Sequence, residues 1–247
     1  MSAADADGGR FDEQGLPLPT RQIMSQWWRD ITFVHWRVDP ALVAPLLPRG
    51  VHPDLFDDSA WVGLIPFRMV DGGLGHRGPV PHFGTFLETN VRVYSVDDKG
   101  RHGVVFRSLE ADQVTVVAAA NAGFGVPYKF ARMSFSKDAG RVRYETVRRT
   151  GTRPRSLLEI EVGEHIAIPS PLERFLTARF GLHTTVLGKS LWIPNTHGPW
   201  PLQRARVVAL RDELVTAAGL PEITTHSPDS VLFSRGVRTV FGLPQRL

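Results

Sequence analysis

The sequence predicts an α+β fold dominated by a mostly antiparallel sheet, either a β-barrel or a folded sheet, with a few short helices at its periphery. Three observations carry this expectation. Short β-prone runs follow one another along most of the chain, separated by turn residues. Two separators, Asp97-Asp98-Lys99-Gly100 and Lys137-Asp138-Ala139-Gly140, read as hairpin turns in which glycine supplies positive φ. Strands do not alternate regularly with helices, which argues against a doubly wound parallel sheet. No linker or internal repeat divides the chain. Residues 1–20 are therefore expected to be a flexible N-terminal segment, and 21–247 a single domain.

Taken in order, Met1 to Thr20 is polar and bears Gly and Pro, the composition of a segment that frays or lies loosely on the surface. Gln26 to Val38 is aromatic and β-branched and reads as a strand. Asp39-Pro40 supplies an N-cap and a proline at the first helical position, so Ala41 to Leu47 reads as a short helix stopped by Pro48-Arg49-Gly50. Trp61 to Met69 is a strand whose Pro66 favours an edge or a bend. Asp71 to Pro81 is a loop by composition, long enough to cover a pocket.

Thr85 to Val96 alternates, with Glu88, Asn90 and Arg92 on one face and Leu87, Val91 and Val93 on the other. His102 to Leu109 returns. Asp112 to Ala120 is small and apolar, and periodicity leaves strand and short helix equally open. Tyr128 to Phe135 and Arg141 to Arg149 pair across their turn. Gly151 to Arg155 is a basic loop, and Leu157 to Ile168 reads as one or two strands. Ser170-Pro171-Leu172-Glu173 is a capping box that opens a helix running to about Phe180 and ending at Gly181. His183 to Ile193 reads as one strand, Pro194 to Pro201 as a bend, and Leu202 to Leu210 as a strand. Leu214 to Ala218 is a helical turn, and Val231 to Val240 the final strand.

The 247 residues are 42% hydrophobic, enough for one large core. Cysteine is absent, which excludes disulfides and thiolate chemistry. No histidines show zinc-site spacing, so no metal is expected. Gly72-Gly73-Leu74-Gly75 lacks the strand–turn–helix context of a dinucleotide site, so no nucleotide cofactor is expected either. The 29 Lys and Arg against 25 Asp and Glu leave a mild, scattered net charge of +4, and the tryptophans are not interleaved with a basic run. Both facts argue against nucleic-acid binding. The first twenty residues lack the apolar run of a signal peptide, and no stretch is long and apolar enough to span a membrane. A cytoplasmic protein is the expectation; a homo-oligomer is compatible with it.

The chemistry-bearing residues gather around Gly84 to Phe135. Glu88 sits mid-strand among apolar residues. If its face is interior, desolvation raises its pKa and equips it to exchange a proton with a substrate. Otherwise it lies outside, or Arg92 four residues on neutralises it. Lys129 follows Gly125-Val126-Pro127-Tyr128. In an apolar cavity a lysine becomes a neutral amine able to form a Schiff base; on the surface it is a solvated cation. Arg29 and Arg37 flank an aromatic strand, where a guanidinium either clamps a substrate carboxylate or pairs with Asp30 or Asp39. His35, His82 and His197 read as hydrogen-bonded packing residues, and the six tryptophans as core or pocket wall.

The segments WRDITFVHWRVDPALVAPLLPRGV, WVGLIPFRM, FLETNVRVYSVDDKGRHGVVFRSLEA, GVPYKFARM and GPWPLQRARV resemble the uncharacterised DUF2071, or YqjF-like, family across most of Gln26 to Arg206. That family is similar in fold to acetoacetate decarboxylase, whose lysine forms a Schiff base with a β-keto acid. The resemblance implies roles residue by residue. The decarboxylases carry an arginine in a strand before a Tyr-Arg-x-Asp segment, and Arg29 precedes Trp36-Arg37-Val38-Asp39 at matching spacing. Glu88 takes the place of their pocket glutamate. Their two consecutive lysines follow an aromatic-Pro pair; here the first is replaced by Tyr128 and only the second, Lys129, is kept. Tyr128 cannot form an imine, and adjacent residues of a strand point to opposite faces.

The sequence therefore sets a catalytic group of Glu88, Tyr128 and Lys129, with Arg29 and Arg37 as substrate-binding residues and no cofactor. The expected partner is an anionic or carbonyl-containing small molecule, an oxo-acid or a relative, handled without an imine by lyase or proton-transfer chemistry. The alternative is a non-enzymatic ligand-binding or structural protein on the same fold.

Overall fold

The computed structural model describes residues 13–15, 17–75, 84–114 and 125–247. The chain runs β1 (Gln22–Val38), α1 (Pro40–Val43), β2 (Val51–Pro53), β3 (Ala60–Leu74), β4 (Phe86–Asp97), β5 (His102–Ala111), β6 (Tyr128–Asp138), β7 (Arg141–Arg148) and β8 (Arg155–His165). It continues through α2 (Pro171–Thr177), β9 (Gly181–Val186), β10 (Lys189–His197), β11 (Leu202–Asp212), α3 (Leu214–Ala217), β12 (Ser230–Gly242) and β13 (Gln245–Arg246). The strands form a single twisted sheet in the order β13-β10-β9-β5-β6-β7-β8-β11-β12-β1-β3-β4-β2. Further pairings of β4 with β5 and of β10 with β12 fold that sheet back on itself. Pairing is antiparallel except where β5 meets β6 and β9. The expected sheet-dominated, mostly antiparallel architecture with a few short helices is the one observed. Among the described residues no helix is long and apolar enough to cross a membrane.

The folding of the sheet buries β1, β3 and β4 on both faces. On one side Val34, Trp36, Val62, Leu64, Val91 and Val93 pack with Leu158 and Ile160 of β8 and with Leu214 and Val215 of α3. On the other side Ile31, Phe33, Ile65, Phe67, Tyr94, Leu109, Leu182 and Phe241 face inward, covered by Phe175 and Leu176 of α2 and by Trp200. Each such side chain contributes about 1.5–3 kcal/mol by leaving water. The residues singled out for chemistry divide between this second side and the surface.

A bulge in β1 aligns the aromatic wall of that side. Asp30 has φ +47°, and the β1–β3 register shifts between Arg29 and Val34. The shift changes the strand's parity, so Trp28 before it and Phe33 after it share one face. There Trp28 stacks on Trp200 at 6.0 Å and Phe33 meets the same ring edge-on at 5.1 Å. Arg68 and Lys137 hold the Asp30 carboxylate at 2.9 and 2.8 Å. Opposite the bulge, Gly236 of β12 has φ +115°, and a Cβ there would lie 1.8 Å from the Trp28 carbonyl oxygen. Gly236→Ala is expected to cost at least about 1–3 kcal/mol, the backbone strain alone, before the clash is counted. The urea midpoint checks it, and an unchanged midpoint would contradict this account of the bulge.

Several element boundaries differ from the sequence reading. Pro66 lies in a strand flanked by β1 and β4, not at an edge. It pairs with Thr89, and on its other side sits the β1 bulge, where ladder pairing is interrupted and the missing N–H is not required. β3 runs to Leu74, so the loop expected from Asp71 starts later, and its remainder, 76–83 with His82, lies outside the described residues. So does the undecided stretch from 115 to 120. The strand expected from His183 to Ile193 is two, because Leu187 at φ +49° and Gly188 at φ +75° make a two-residue hairpin turn. The capping box of α2 is present, with Ser170 N–H donating to Glu173 at 2.7 Å and Glu173 N–H to Ser170 Oγ at 3.2 Å. The helix stops at Thr177 rather than near Phe180. Arg179 turns into the core there and donates to the Phe175 carbonyl at 2.6 Å, taking up one of the helix's terminal acceptors.

Candidate active site

Strand alternation on β4 sends Glu88, Asn90, Arg92 and Tyr94 to the second side of the sheet, all buried. On β3 they face Phe67, Ile65 and Gly63 in turn. Gly63 is a glycine for a reason: a Cβ would stand 3.2 Å from the His35 ring and 3.3 Å from Arg92 Cγ. A bulge in the β4–β5 pairing next to Arg92 brings both Leu109 and Val104 into the same core.

Tyr128 closes on Glu88 from β6. Its phenol donates to Glu88 Oε2 at 2.7 Å. The approach depends on Gly125, at φ +61°, where a Cβ would lie 2.6 Å from the Thr185 carbonyl oxygen. Val126 and Pro127 follow, and β6 then starts beside β5 with Tyr128 opposite Leu109 and Lys129 opposite Glu110. Tyr128 thus turns inward, packed against the inner clusters, while Lys129 is exposed on the other face.

Burial pushes the Glu88 carboxyl up to about 7. Hydrogen bonds from Tyr128 and Asn90 oppose that shift, and Glu110 adds to it. Arg92 does not neutralise Glu88: four strand positions separate them, about 13 Å of rise, and no ion pair joins them. Burial and the adjoining carboxylate raise the Tyr128 phenol well above its ordinary value, so it is a donor at neutral pH. Near pH 7 the site holds an acid poised between its two states, with a phenol fixed against it.

A second polar group lies along the same wall. Arg92 Nε and Nη2 donate to Tyr94 Oη at 3.2 and 2.9 Å, and Nη2 also to the Leu176 carbonyl at 3.1 Å. Tyr94 donates to that same carbonyl at 2.8 Å. With the phenol proton placed there, His35 Nε2, 2.6 Å from Tyr94 Oη, carries a hydrogen. Burial, with Arg92 and Arg179 adding to it, holds His35 well below its ordinary pKa, so its ring is neutral. Behind Tyr94, Arg179 is ion-paired with Asp54, and Asp54 Oδ2 also meets His102 Nδ1 at 2.8 Å. Burial alone would raise Asp54; Arg179 and His102 more than offset it and leave it below its ordinary value.

The structure brings Glu88 and Tyr128 together and leaves the other candidates apart. Arg29 stacks on Trp27 at 4.1 Å, on the strand face opposite Trp28. Arg37 is exposed at the strand end, 3.7 Å from Asp229 and 3.9 Å from Asp57. Arg92, Asn90, Trp28 and Asn195 were not assigned roles from the sequence, although alternation already put Asn90 and Arg92 on the face of Glu88. Asn90 Oδ1, Trp28 Nε1, His35 Nδ1, Asn195 Oδ1 and Thr239 Oγ1 are buried with no hydrogen-bond partner. Such atoms are rare in interiors and mark places where a ligand or water completes the pairing. Among the described residues no group of three or more His, Cys, Asp or Glu side chains is arranged to hold a metal.

The chain is 30% identical over 226 residues to the uncharacterized protein YqjF of Bacillus subtilis (strain 168), an alignment covering 86% of this chain and 90% of that one. An acetoacetate decarboxylase from Legionella pneumophila superposes with a TM-score of 0.64 at 15% identity, over 100% of this chain and 98% of that one. The enduracididine biosynthesis enzyme MppR, solved in complex with pyruvate, gives 0.62 at 15% identity over 93% and 91%. An acetoacetate decarboxylase-like enzyme from Sphingomonas wittichii RW1 gives 0.62 at 14% identity over 95% and 98%. These likenesses establish a shared fold. The family's sequence profile matches residues 25–238, and with it the chain belongs to DUF2071, a family of uncharacterized conserved proteins with the acetoacetate decarboxylase fold.

Proposed function

We propose that this protein binds a small oxo-acid or related carbonyl compound on the inner wall of β4 and moves a proton on it through Glu88, without forming an imine. The observation that carries the reading is the Glu88–Tyr128 contact, a buried carboxyl with a pKa of about 7 hydrogen-bonded to a phenol at 2.7 Å. A carboxyl near neutrality is matched to general acid–base work. Glu88 takes the proton from the carbon next to the carbonyl, and as it becomes protonated the single Tyr128 O–H swings from it to the developing oxyanion. Lys129, exposed on the other face, is the wrong group for an imine nitrogen inside the fold. The solved relatives of the same fold include enzymes named for acetoacetate and for a pyruvate complex, which favours a keto acid as ligand class.

The test is exchange of α-protons in heavy water, followed by NMR over a panel of keto acids. Exchange is expected to rise with pH through about 7 as Glu88 ionises. Glu88→Gln should slow it by about 10²–10⁴-fold. Borohydride treatment with the same panel is expected to leave the intact mass unchanged. An adduct mapped to Lys129 and lost in Lys129→Ala would overturn the imine-free reading. Saturable binding with no exchange would favour a ligand-binding protein over an enzyme.

A further inference from the structure

We infer that Arg92 is the anion anchor of this site and that the ligand therefore carries a carboxylate at the end remote from Glu88. The inference deepens the reading of β4 as a ligand wall and rests on it. Among the described residues three arginines are buried: Arg92, Arg148 and Arg179. Arg148 is paired with Glu110 and Arg179 with Asp54. Arg92 has no carboxylate partner among the described residues; it meets the Tyr94 hydroxyl, the Leu176 carbonyl and the rings of Phe33 and Tyr94. A buried cation without an anion is strongly disfavoured, and folds avoid it unless something supplies the charge.

Among the described residues nothing nearby supplies it. His35 is neutral, and burial, with a contribution from Arg92, lowers His197 to about 4, so neither adds a further positive charge near neutral pH. Arg179 stands over the Tyr94 ring at 4.8 Å, and Asp54 is engaged by both Arg179 and His102. Among the described residues, Arg92 is thus the guanidinium beside Tyr94 that has no carboxylate against it.

The free geometry suits a carboxylate. Nε and Nη2 of Arg92 are committed, and Nη1 makes no hydrogen bond among the described residues. One free nitrogen matches one carboxylate oxygen; a doubly charged phosphate would want several donors. Asn90, with Oδ1 unpartnered, stands between Arg92 and Glu88 on the same face. Two residues of strand on either side of Asn90 put about 13 Å between the Arg92 and Glu88 backbones. The Arg92 guanidinium also leans toward Tyr94 and away from Glu88, so a ligand that meets both groups is extended. A three- or four-carbon oxo-acid is too short to bridge that span, and a longer chain is favoured.

The experiment measures binding, not turnover, with hexanoate, hexanamide and 6-oxoheptanoate as probes, by calorimetry on the full chain. Hexanoate is expected to bind at least tenfold tighter than hexanamide. Arg92→Met, which removes the charge and keeps the bulk, should abolish that preference, and Arg92→Lys should restore part of it with a fivefold or greater loss. Should Arg92→Met not fold, Arg92→Lys and the probe preference of the unmodified protein still decide. No preference for hexanoate, or a preference lost in Arg29→Ala and kept in Arg92→Met, overturns the inference. The two readings fail separately. Hexanoate selectivity that depends on Arg92, with no proton exchange, sinks the Glu88 chemistry alone. Exchange that depends on Glu88 but is indifferent to Arg92 sinks the anchor alone.

Discussion

Replacing Asp54 by alanine is expected to destabilise the fold by about 3–5 kcal/mol, among the largest losses any single substitution here should cause. Asp54 is 1% exposed, and its carboxylate holds Arg179 and His102 together. Its own N–H donates to the Tyr94 carbonyl at 3.1 Å, so loop and strand are already joined at this point. Without the carboxylate, Arg179 remains buried against Tyr94 and Phe175, 4.8 and 4.1 Å from their rings, with a second guanidinium on the far side of Tyr94. The cost is that of a buried charge deprived of its carboxylate and not the net worth of the pair. The double replacement Asp54→Leu with Arg179→Met should therefore cost less than Asp54→Ala alone. Urea midpoints of the parent, Asp54→Ala and the double replacement test this, and a loss below about 1 kcal/mol for Asp54→Ala would refute the electrostatic account.

The second large effect is a dependence of stability on pH that Glu88 imposes. Its ordinary pKa of 4.5 is raised to about 7 in the folded chain, with burial the main cause. Between those values the unfolded chain releases the proton while the folded chain keeps it. Stability from this group is complete below 4.5, declines as pH rises toward 7, and is gone above it. The span corresponds to about 3 kcal/mol. Glu88→Gln keeps an acceptor for Tyr128 and removes the titration, so it should gain on the parent by about 2–3 kcal/mol between pH 5 and pH 8. The difference between the two proteins is the quantity to measure, because other groups titrate in the opposite sense. His183 and His197 are each lowered to about 4, mainly by burial, and their contributions are lost as pH falls from 6.5. A gap between parent and variant that does not change with pH would show that Glu88 is ionised throughout.

Much of the site could be read from local rules, and the remainder depended on distant contacts. Alternation along Phe86 to Asp97 was enough to put Glu88, Asn90 and Arg92 on one face, and adjacency was enough to separate Tyr128 from Lys129. The isolation of Arg92 was not legible, because its neighbours come from β1 and from the end of α2, far away in the chain. The placement of Arg29 turned on the Asp30 bulge. An aspartate tolerates a left-handed backbone but does not announce one, and no glycine or proline marks the spot. The hairpin between β9 and β10 was hidden the same way, since its first turn residue is Leu187 in a conformation leucine seldom adopts. Pro66 suggested an edge or a bend, yet it lies in an interior strand, where the β1 bulge beside it removes the need for its N–H.

One strand sets the tempo at which this molecule can assemble. β12 pairs with β1, β10 and β11 at once, and joins Gln22 to Gly242 and His35 to Ser230. During synthesis the amino-terminal strand therefore emerges long before its partner and must wait with one edge unpaired. Loop closure over such a span is paid before any contact rewards it, which makes chains of this topology slow to fold. Until β12 docks, the exposed rows of N–H and C=O on β1 and β11 are open to pairing with another chain. Crowding and chaperone supply, more than the final strength of the core, then govern how much of the newly made protein reaches the folded state.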